Sequence, residues 1–201
     1  MTIDIAHAAV IAVHLQNDIV QPDGAFGPFF AASASERGIV EKGAAVLEAA
    51  RAASLPVYYT RVGWDAGHET LVTNSPLMSI VAEHKCLVNG TWQTEILEAV
   101  RPGDRDIVLT NERVSGFAGS ILEQLLRDQG IKTVVIFGVA TNVSVESTVR
   151  SAADLGFNVV LVEDASSAAT QEIHDATIQS LVLLATIATS QELIADLAVS
   201  V

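Results

Sequence analysis

The 201-residue chain carries 24 acidic against 11 basic residues, for a formal net charge of -13, and half of its residues are hydrophobic although only 5% are aromatic. A surface of this charge repels phosphate backbones, so nucleic-acid binding is not expected. The apolar fraction is sufficient for one large aliphatic core, and we expect a single domain over residues 1–201.

The cysteine content and the apolar runs indicate where the protein resides. Cys86 is the one cysteine, which excludes an intrachain disulfide and fits a reducing compartment. Residues 1–7 lack the basic start of a signal peptide, and no apolar run is long enough to span a bilayer. We therefore expect a cytoplasmic protein without a membrane segment.

Short apolar runs alternate with helical patterns along the chain. Strands are predicted over Ala8–Val13, Val57–Val62, Asp106–Thr110, Thr133–Gly138, Asn158–Val162 and Ala185–Thr189. Helices are predicted from Ser33 or Ser35 to about Ala53, then over Thr91–Val100, Gly119–Gln129, Asn142–Leu155, Gln171–Leu184 and Gln191–Leu197. This alternation favours right-handed βαβ units and therefore a parallel sheet covered by helices.

Two segments stand out from the regular alternation. Gly63–Gly90 is irregular and long enough for a lid or an oligomer contact. Gly24–Phe30 (GAFGPFF) places three phenylalanines in a loop, so this segment is either a contact between subunits or a cover over the domain's own core.

Ligands of open parallel sheets bind beyond the carboxyl ends of the strands, near the point where the strand order reverses. His14 follows the first strand, and Ser144 lies in the first turn of the helix that follows Gly138. Backbone N–H groups at such a helix start lack intrahelical partners and favour negative charge. If the first and fourth strands are neighbours, His14 and Ser144 come together as a base and a nucleophile. The alternative is that Asn142 or Ser144 caps the helix and that His14 is structural.

Several landmarks resemble those of the isochorismatase-like (cysteine hydrolase) family over nearly the whole chain. They are AAVIAVHLQNDIV, VYYTRV, NGTWQTEI, IVLTNERVSGFAGSILEQLLRDQGI and VVIFGVATNVSVESTVRSAADLGFNVVLVEDASSA. The resemblance implies an α/β, Rossmann-like fold: a three-layer, doubly wound sheet of six parallel strands with helices on both faces. It also implies a dimer or higher homo-oligomer.

In catalytic members of that family a Cys attacks a small amide or related carbonyl, with an Asp as base and a Lys in support. This sequence departs from the pattern at all three positions, which hold Ser144, His14 and Asn111. The resemblance further implies a cis peptide between Val139 and Ala140, with the N–H groups of Ala140 and Ser144 facing the oxyanion. Metal-binding members carry an Asp-x-His pair, whereas Asp65 and His68 have a different spacing, so no metal and no cofactor are expected.

Three hypotheses follow for the function. In the first, Ser144 is a nucleophile and His14 its base, because a hydroxyl needs a stronger base than a thiol does. In the second, a protonated His14 donates a proton to a vinyl ether without a covalent intermediate. In the third, the substituted site is non-catalytic and the fold is a binding or oligomeric scaffold.

Further residues are expected to support a small-molecule substrate. Asn111 is a candidate to orient the substrate or bind its carbonyl, and Asp18 is a weak candidate to orient His14. The candidate binding residues are Gln16, Arg113, Phe117, Val139 and Ala140. A pocket filled by Phe117 or Trp64 would favour the scaffold hypothesis.

Overall fold

A computed structural model describes residues 3–199. Its six strands form one parallel sheet in the order β3-β2-β1-β4-β5-β6, which confirms the predicted fold class. The strands are β1 (Ala8–Val13), β2 (Val57–Val62), β3 (Ile107–Asn111), β4 (Thr133–Gly138), β5 (Asn158–Val162) and β6 (Thr186–Ala188). The order reverses at β1, which lies between β2 and β4.

Eight α-helices lie between and after the strands of the described chain. They are α1 (Asn17–Val20), α2 (Gly27–Arg37), α3 (Ile39–Ala52), α4 (Pro76–His84), α5 (Leu122–Asp128), α6 (Glu146–Asp154), α7 (Gln171–Leu181) and α8 (Ser190–Val199). The long helix predicted to begin at Ser33 or Ser35 is two helices, because Gly38 adopts a left-handed conformation that ends α2.

The sheet is covered on both faces, as a strand with no exposed residue requires. Every residue of β1 is buried, and its alternate side chains enter two separate cores. Val10 packs in one core with residues of α3 and α8, whereas Ile11 packs in the other core with residues of α5, α6 and α7. One core lies on each face of the sheet, so the domain has three layers: helices, sheet and helices.

The predicted helix over Thr91–Val100 is wrong. This segment contains two short 3-10 turns, Trp92–Thr94 and Glu98–Val100. Between them the backbone pairs with the segment that follows β1: Asn17 N–H donates to Glu95 O, and Leu97 N–H donates to Leu15 O. An α-helix would use those backbone groups internally, so tertiary pairing displaces it.

Candidate active site

The carboxyl ends of β1 and β4 lie side by side at the reversal of strand order. Val13 is in register with Gly138, and Val139 N–H donates to Val13 O at 3.0 Å. His14 N–H donates to Thr60 O on the other neighbour, β2. The segments that carry His14 and Ser144 therefore leave the sheet from adjacent strands.

His14 is held in an unusual conformation and in an apolar environment. Its φ angle is 51°, a left-handed value that histidine tolerates better than most residues do. The side chain is 2% exposed, and its Nε2 is buried with no hydrogen-bond partner in the described structure. Burial lowers the pKa of His14 to about 3, because the charged imidazolium loses its hydration. The ring is therefore neutral at physiological pH.

Ser144 lies in a turn of unusual geometry after β4. The peptide bond between Val139 and Ala140 is cis, as the family resemblance implied. A π-helical turn follows over Thr141–Val145, and Val145 N–H donates to Ala140 O across five residues. Such turns are often found at functional sites. Neither the π-helical turn nor α6 has a side-chain N-cap, so Asn142 and Ser144 do not cap the helix.

His14 and Ser144 both line one cavity of about 50 Å³. Val139, Ala140 and Val143 from the turn after β4 complete its floor. No hydrogen bond joins the imidazole to the Ser144 hydroxyl in this structure, and catalytic hydrogen bonds are often long before substrate binds. The Ala140 N–H also has no hydrogen-bond partner within residues 3–199. The cavity thus brings together a neutral base, a hydroxyl and an unpartnered backbone donor.

The rest of the cavity wall is apolar and comes from three parts of the chain. Ile19, Phe26 and Phe30 contribute from the segment after β1, and Val114 contributes from the segment after β3. The predicted lid, Gly63–Gly90, contributes the remaining lining residues apart from Val62, namely Trp64, Leu77, Met78, Val81 and Leu87. None of these lining residues carries a charge.

The sequence did not identify most of these wall residues as site residues. Phe26 and Phe30 were expected at a subunit contact or over the core, and they cover the cavity, whereas Phe29 is 49% exposed. Met78 and Val81 lie in α4, a helix that the sequence left as an irregular segment. Apolar residues recur every three or four positions within 76–84, and this pattern could have predicted the helix.

Gln16 and Asn111 are not in the lining of the cavity, and their amides bind the protein's own backbone. Gln16 Nε2 donates to Val62 O at 2.9 Å, and its Oε1 accepts from Val62 N–H at 2.8 Å. Asn111 Nδ2 donates to Ser115 O and to Ala118 O. Both residues therefore fix loops beside the cavity.

Arg113, Phe117 and Asp18 also lie outside the lining. Arg113 is exposed and donates to Glu112 O, and Phe117 stacks on Phe157 against the other core. Both carboxylate oxygens of Asp18 accept backbone N–H groups, from Ala25 and Leu87, so Asp18 does not orient His14. The dyad has no carboxylate third member among its described contacts.

Asp65 and His68, whose spacing differs from that of the family's metal-binding pair, have protein partners. His68 Nε2 contacts Cys86 O, and Asp65 accepts from Asn89. In residues 3–199 no three His, Cys, Asp or Glu side chains are grouped so as to hold a metal ion. Cys86 is buried, and burial with the nearby Asp18 raises the pKa of its thiol to about 12. It therefore cannot replace the missing nucleophile as a thiolate.

A polar cluster outside the cavity lining contacts the turn. Thr141 Oγ1 contacts His174 Nδ1 at 2.9 Å, and His174 Nε2 lies 3.0 Å from the Arg37 guanidinium. Because the guanidinium only donates, the Arg37 contact favours a neutral His174; Nε2 also lies 3.3 Å from Glu163 Oε2. Burial and Arg37 lower the pKa of His174, in agreement with that protonation state.

Comparisons with known proteins agree with this architecture. The family described as "Isochorismatase domain" matches residues 8–192. The chain is 33% identical over 173 residues to the uncharacterized isochorismatase family protein YecD of Escherichia coli O157:H7, covering 86% of each chain. It is 30% identical over 184 residues to the ureidoacrylate amidohydrolase RutB of Azorhizobium caulinodans, covering 86% of this chain and 81% of the relative.

Solved structures show the same fold. A cysteine hydrolase from Pseudomonas syringae pv. phaseolicola 1448A superimposes with a TM-score of 0.91 at 23% identity, covering 100% of this chain and 97% of the other. The N-carbamoylsarcosine amidase from Thermoplasma acidophilum gives a TM-score of 0.74 at 25% identity, covering 91% of this chain and 96% of the other.

Within residues 3–199, none of the helices has both the length and the apolar character that a membrane span requires. With its sequence match spanning most of the chain, this protein belongs to the isochorismatase family.

Proposed function

We propose that this protein is a serine-dependent hydrolase of small amides, with Ser144 as nucleophile and His14 as general base. The observation that carries the proposal is that these two side chains line the same buried cavity at the carboxyl ends of the central strands. Two relatives named for their activity, an amidohydrolase and an amidase, support the amide as the substrate class. They give no support to the alternative of a non-catalytic scaffold.

The reaction follows from the groups present. Ser144 Oγ attacks the amide carbonyl while its proton passes to His14, and the carbonyl oxygen becomes an oxyanion. The unpartnered Ala140 N–H is the proposed oxyanion donor. His14 then gives the proton to the amide nitrogen, the C–N bond breaks, and ammonia leaves an acyl-enzyme on Ser144. Water attacks the acyl carbonyl as it loses a proton to the same imidazole. His14 returns that proton to Ser144 Oγ as the ester C–O bond breaks, which releases the carboxylic acid.

The apolar surroundings limit the rate of this reaction. An imidazolium with a pKa of about 3 is costly to form, and no carboxylate binds the ring to offset that cost. In the proposed reaction the positive imidazolium is stabilised only by the negative oxyanion beside it. The two charges must therefore form in the same step. We therefore expect slow turnover compared with a complete triad. Gln16 and Asn111 have positioning roles in this proposal, through the loops that they fix.

The low pKa of His14 speaks against proton donation to a vinyl ether. That mechanism needs an imidazolium in the free enzyme, whereas burial keeps the ring neutral far below physiological pH. The serine mechanism starts from the neutral ring, so it agrees better with the environment of His14. The same pKa makes His14 a weaker base than the sequence led us to expect.

Ammonia release from simple aliphatic amides tests the proposal. Ser144→Ala and His14→Gln are each expected to lower kcat/KM at least about 10²-fold, whereas the control Ser120→Ala, which removes a hydroxyl outside the cavity, retains activity. Added hydroxylamine is expected to divert the acyl-enzyme to a hydroxamate. Full activity of Ser144→Ala, or no ammonia from any amide, would contradict the proposal.

We also propose that the protein acts in the cytoplasm as a homo-oligomer. The exposed Phe29 ring beside the cavity cover is an apolar surface that a second copy could bury. Light scattering during size-exclusion chromatography tests the oligomeric state, and a Phe29→Ser variant that remains unchanged in mass would exclude this contact.

A further inference from the structure

We propose that the cavity selects an uncharged amide with a short aliphatic acyl chain and excludes substrates that carry a carboxylate or an ammonium group. This inference rests on the proposed function for the chemistry, but it concerns which ligand the cavity holds. It follows from three properties of the cavity: its wall carries no charge, its volume is small, and two of its lining residues have ring nitrogens without hydrogen-bond partners.

The first property is the absence of a countercharge. Every lining residue is aliphatic, aromatic, Met78, His14 or Ser144, and His14 is neutral. The arginines nearest the ends of β2 and β3 are engaged elsewhere: Arg61, within β2, donates its Nε–H to Thr110 Oγ1, and Arg113, after β3, donates to Glu112 O. A carboxylate or an ammonium group would enter this cavity without a partner, and an unpaired buried charge is strongly unfavourable.

The second property is size. The cavity of about 50 Å³ is much smaller than the roughly 150 Å³ apolar cavity known to hold benzene. By that comparison it holds roughly two non-hydrogen atoms in all, so only the smallest amides fit without movement of the wall. Leu77 lines the cavity and is half-buried. Its side chain therefore limits the length of the acyl chain that fits, and a smaller residue at this position should admit a longer chain.

The third property is a pair of unpartnered nitrogens on lining residues. His14 Nε2 and Trp64 Nε1 are both buried and have no hydrogen-bond partner among the described residues. The indole N–H only donates, so it lacks an acceptor. A primary amide carries a carbonyl acceptor and N–H donors on an uncharged group. Among uncharged groups it therefore offers an acceptor and donors of the kinds that an indole N–H and an imidazole nitrogen bind, and its acyl chain suits the apolar wall.

Matched pairs of substrates test this selectivity. Propionamide and glycinamide have nearly the same size, but glycinamide carries an ammonium in place of a methyl group. Isobutyramide and oxamate form the corresponding pair for a carboxylate. Turnover is measured with the wild-type protein, and binding is measured calorimetrically with Ser144→Ala at tens of millimolar ligand. We expect each uncharged member to be preferred at least 10-fold in both measurements.

Chain length gives an independent measurement. Across formamide, acetamide, propionamide, butyramide and valeramide, kcat/KM of the wild type is expected to reach its limit at acetamide and to fall with each further carbon. Leu77→Ala should move that limit towards longer chains. Leu125→Ala removes a half-buried leucine from the other core and should leave the limit unchanged.

The outcomes separate this inference from the proposed function. If Ser144→Ala binds the uncharged members preferentially while the wild type hydrolyses none, the proposed function fails and the selectivity stands. If glycinamide or oxamate is hydrolysed as fast as its partner, the amidase stands and the selectivity is overturned. Binding of neither class, or an unmoved limit in Leu77→Ala, also overturns the inference.

Discussion

Gly138 and Val13 are in register at the ends of the two central strands, and their backbones leave no space for a side chain between them. Gly138 has a φ angle of 137°, and a Cβ added to it would overlap the Val13 carbonyl. The same carbonyl accepts the Val139 N–H. This contact holds the His14 segment against the turn that carries Ser144, so the site depends on a glycine that takes no part in chemistry.

Gly138→Ala is therefore expected to destabilise the protein by about 3 kcal/mol or more, because both the conformation and the backbone contact are lost. The matched control is Gly90→Ala. Gly90 also has a positive φ, but an added Cβ meets nothing within 4 Å, so strain alone costs about 1–2 kcal/mol. Urea unfolding of both variants measures the difference. Equal losses would show that the contact with Val13 is unimportant.

Gln16→Leu is expected to lower the free energy of unfolding by about 2–4 kcal/mol. The leucine keeps the bulk of the side chain but leaves the Val62 N–H and C=O, both buried, without their partners. Gln129→Leu is the control, since its amide binds the Tyr58 hydroxyl near the surface and not the backbone. Denaturant midpoints at constant slope compare the two. A loss for Gln16→Leu no greater than that of the control would contradict a stabilising role for the two hydrogen bonds between Gln16 and Val62.

The burial of His14 predicts the pH dependence of stability. Its pKa is about 3 in the folded state and near 6.5 when unfolded, so between these values the unfolded state binds more protons. The free energy of unfolding therefore decreases as pH falls from 6.5 towards 3, by up to about 1.4 kcal/mol per pH unit. His174, whose pKa is also lowered, adds to the same trend.

His14→Gln should make this slope shallower, because the group that titrates on unfolding is removed while a polar side chain remains. Thermal or urea unfolding at pH 4.5, 5.5 and 6.5 measures the slope for both proteins. Parallel curves for the variant and the wild type would mean that His14 is not neutral in the folded state.

The same pKa predicts an unusual pH profile of activity. A base that stays neutral down to about pH 3 does not lose its function near pH 6.5. We therefore expect kcat/KM for amide hydrolysis to show no tenfold-per-unit fall between pH 7 and 5 in the range where the protein is folded. Such a fall, with a midpoint near 6.5, would show that the ring is hydrated in the active enzyme.

The sequence predicted the strands well, because buried parallel strands appear as short apolar runs between turns. Predicted and observed bounds agree within one residue for every strand, including the edge strands β3 and β6. The helices were predicted less well. The segment Thr91–Val100 has a helical pattern, but its backbone pairs with the segment after β1, and no local pattern reports such a partner.

Residue type and spacing alone determined the sheet and the edge at which His14 and Ser144 emerge. Only the tertiary structure decided that the Gln16 and Asn111 amides bind backbone groups outside the cavity lining, and that the cavity wall is apolar. The physical reason is that a strand end is fixed by local hydrophobic patterning, whereas the surroundings of a side chain are set by residues far away in sequence. Phe26, Leu77 and Val114 meet at one cavity only because the sheet brings their loops to the same edge.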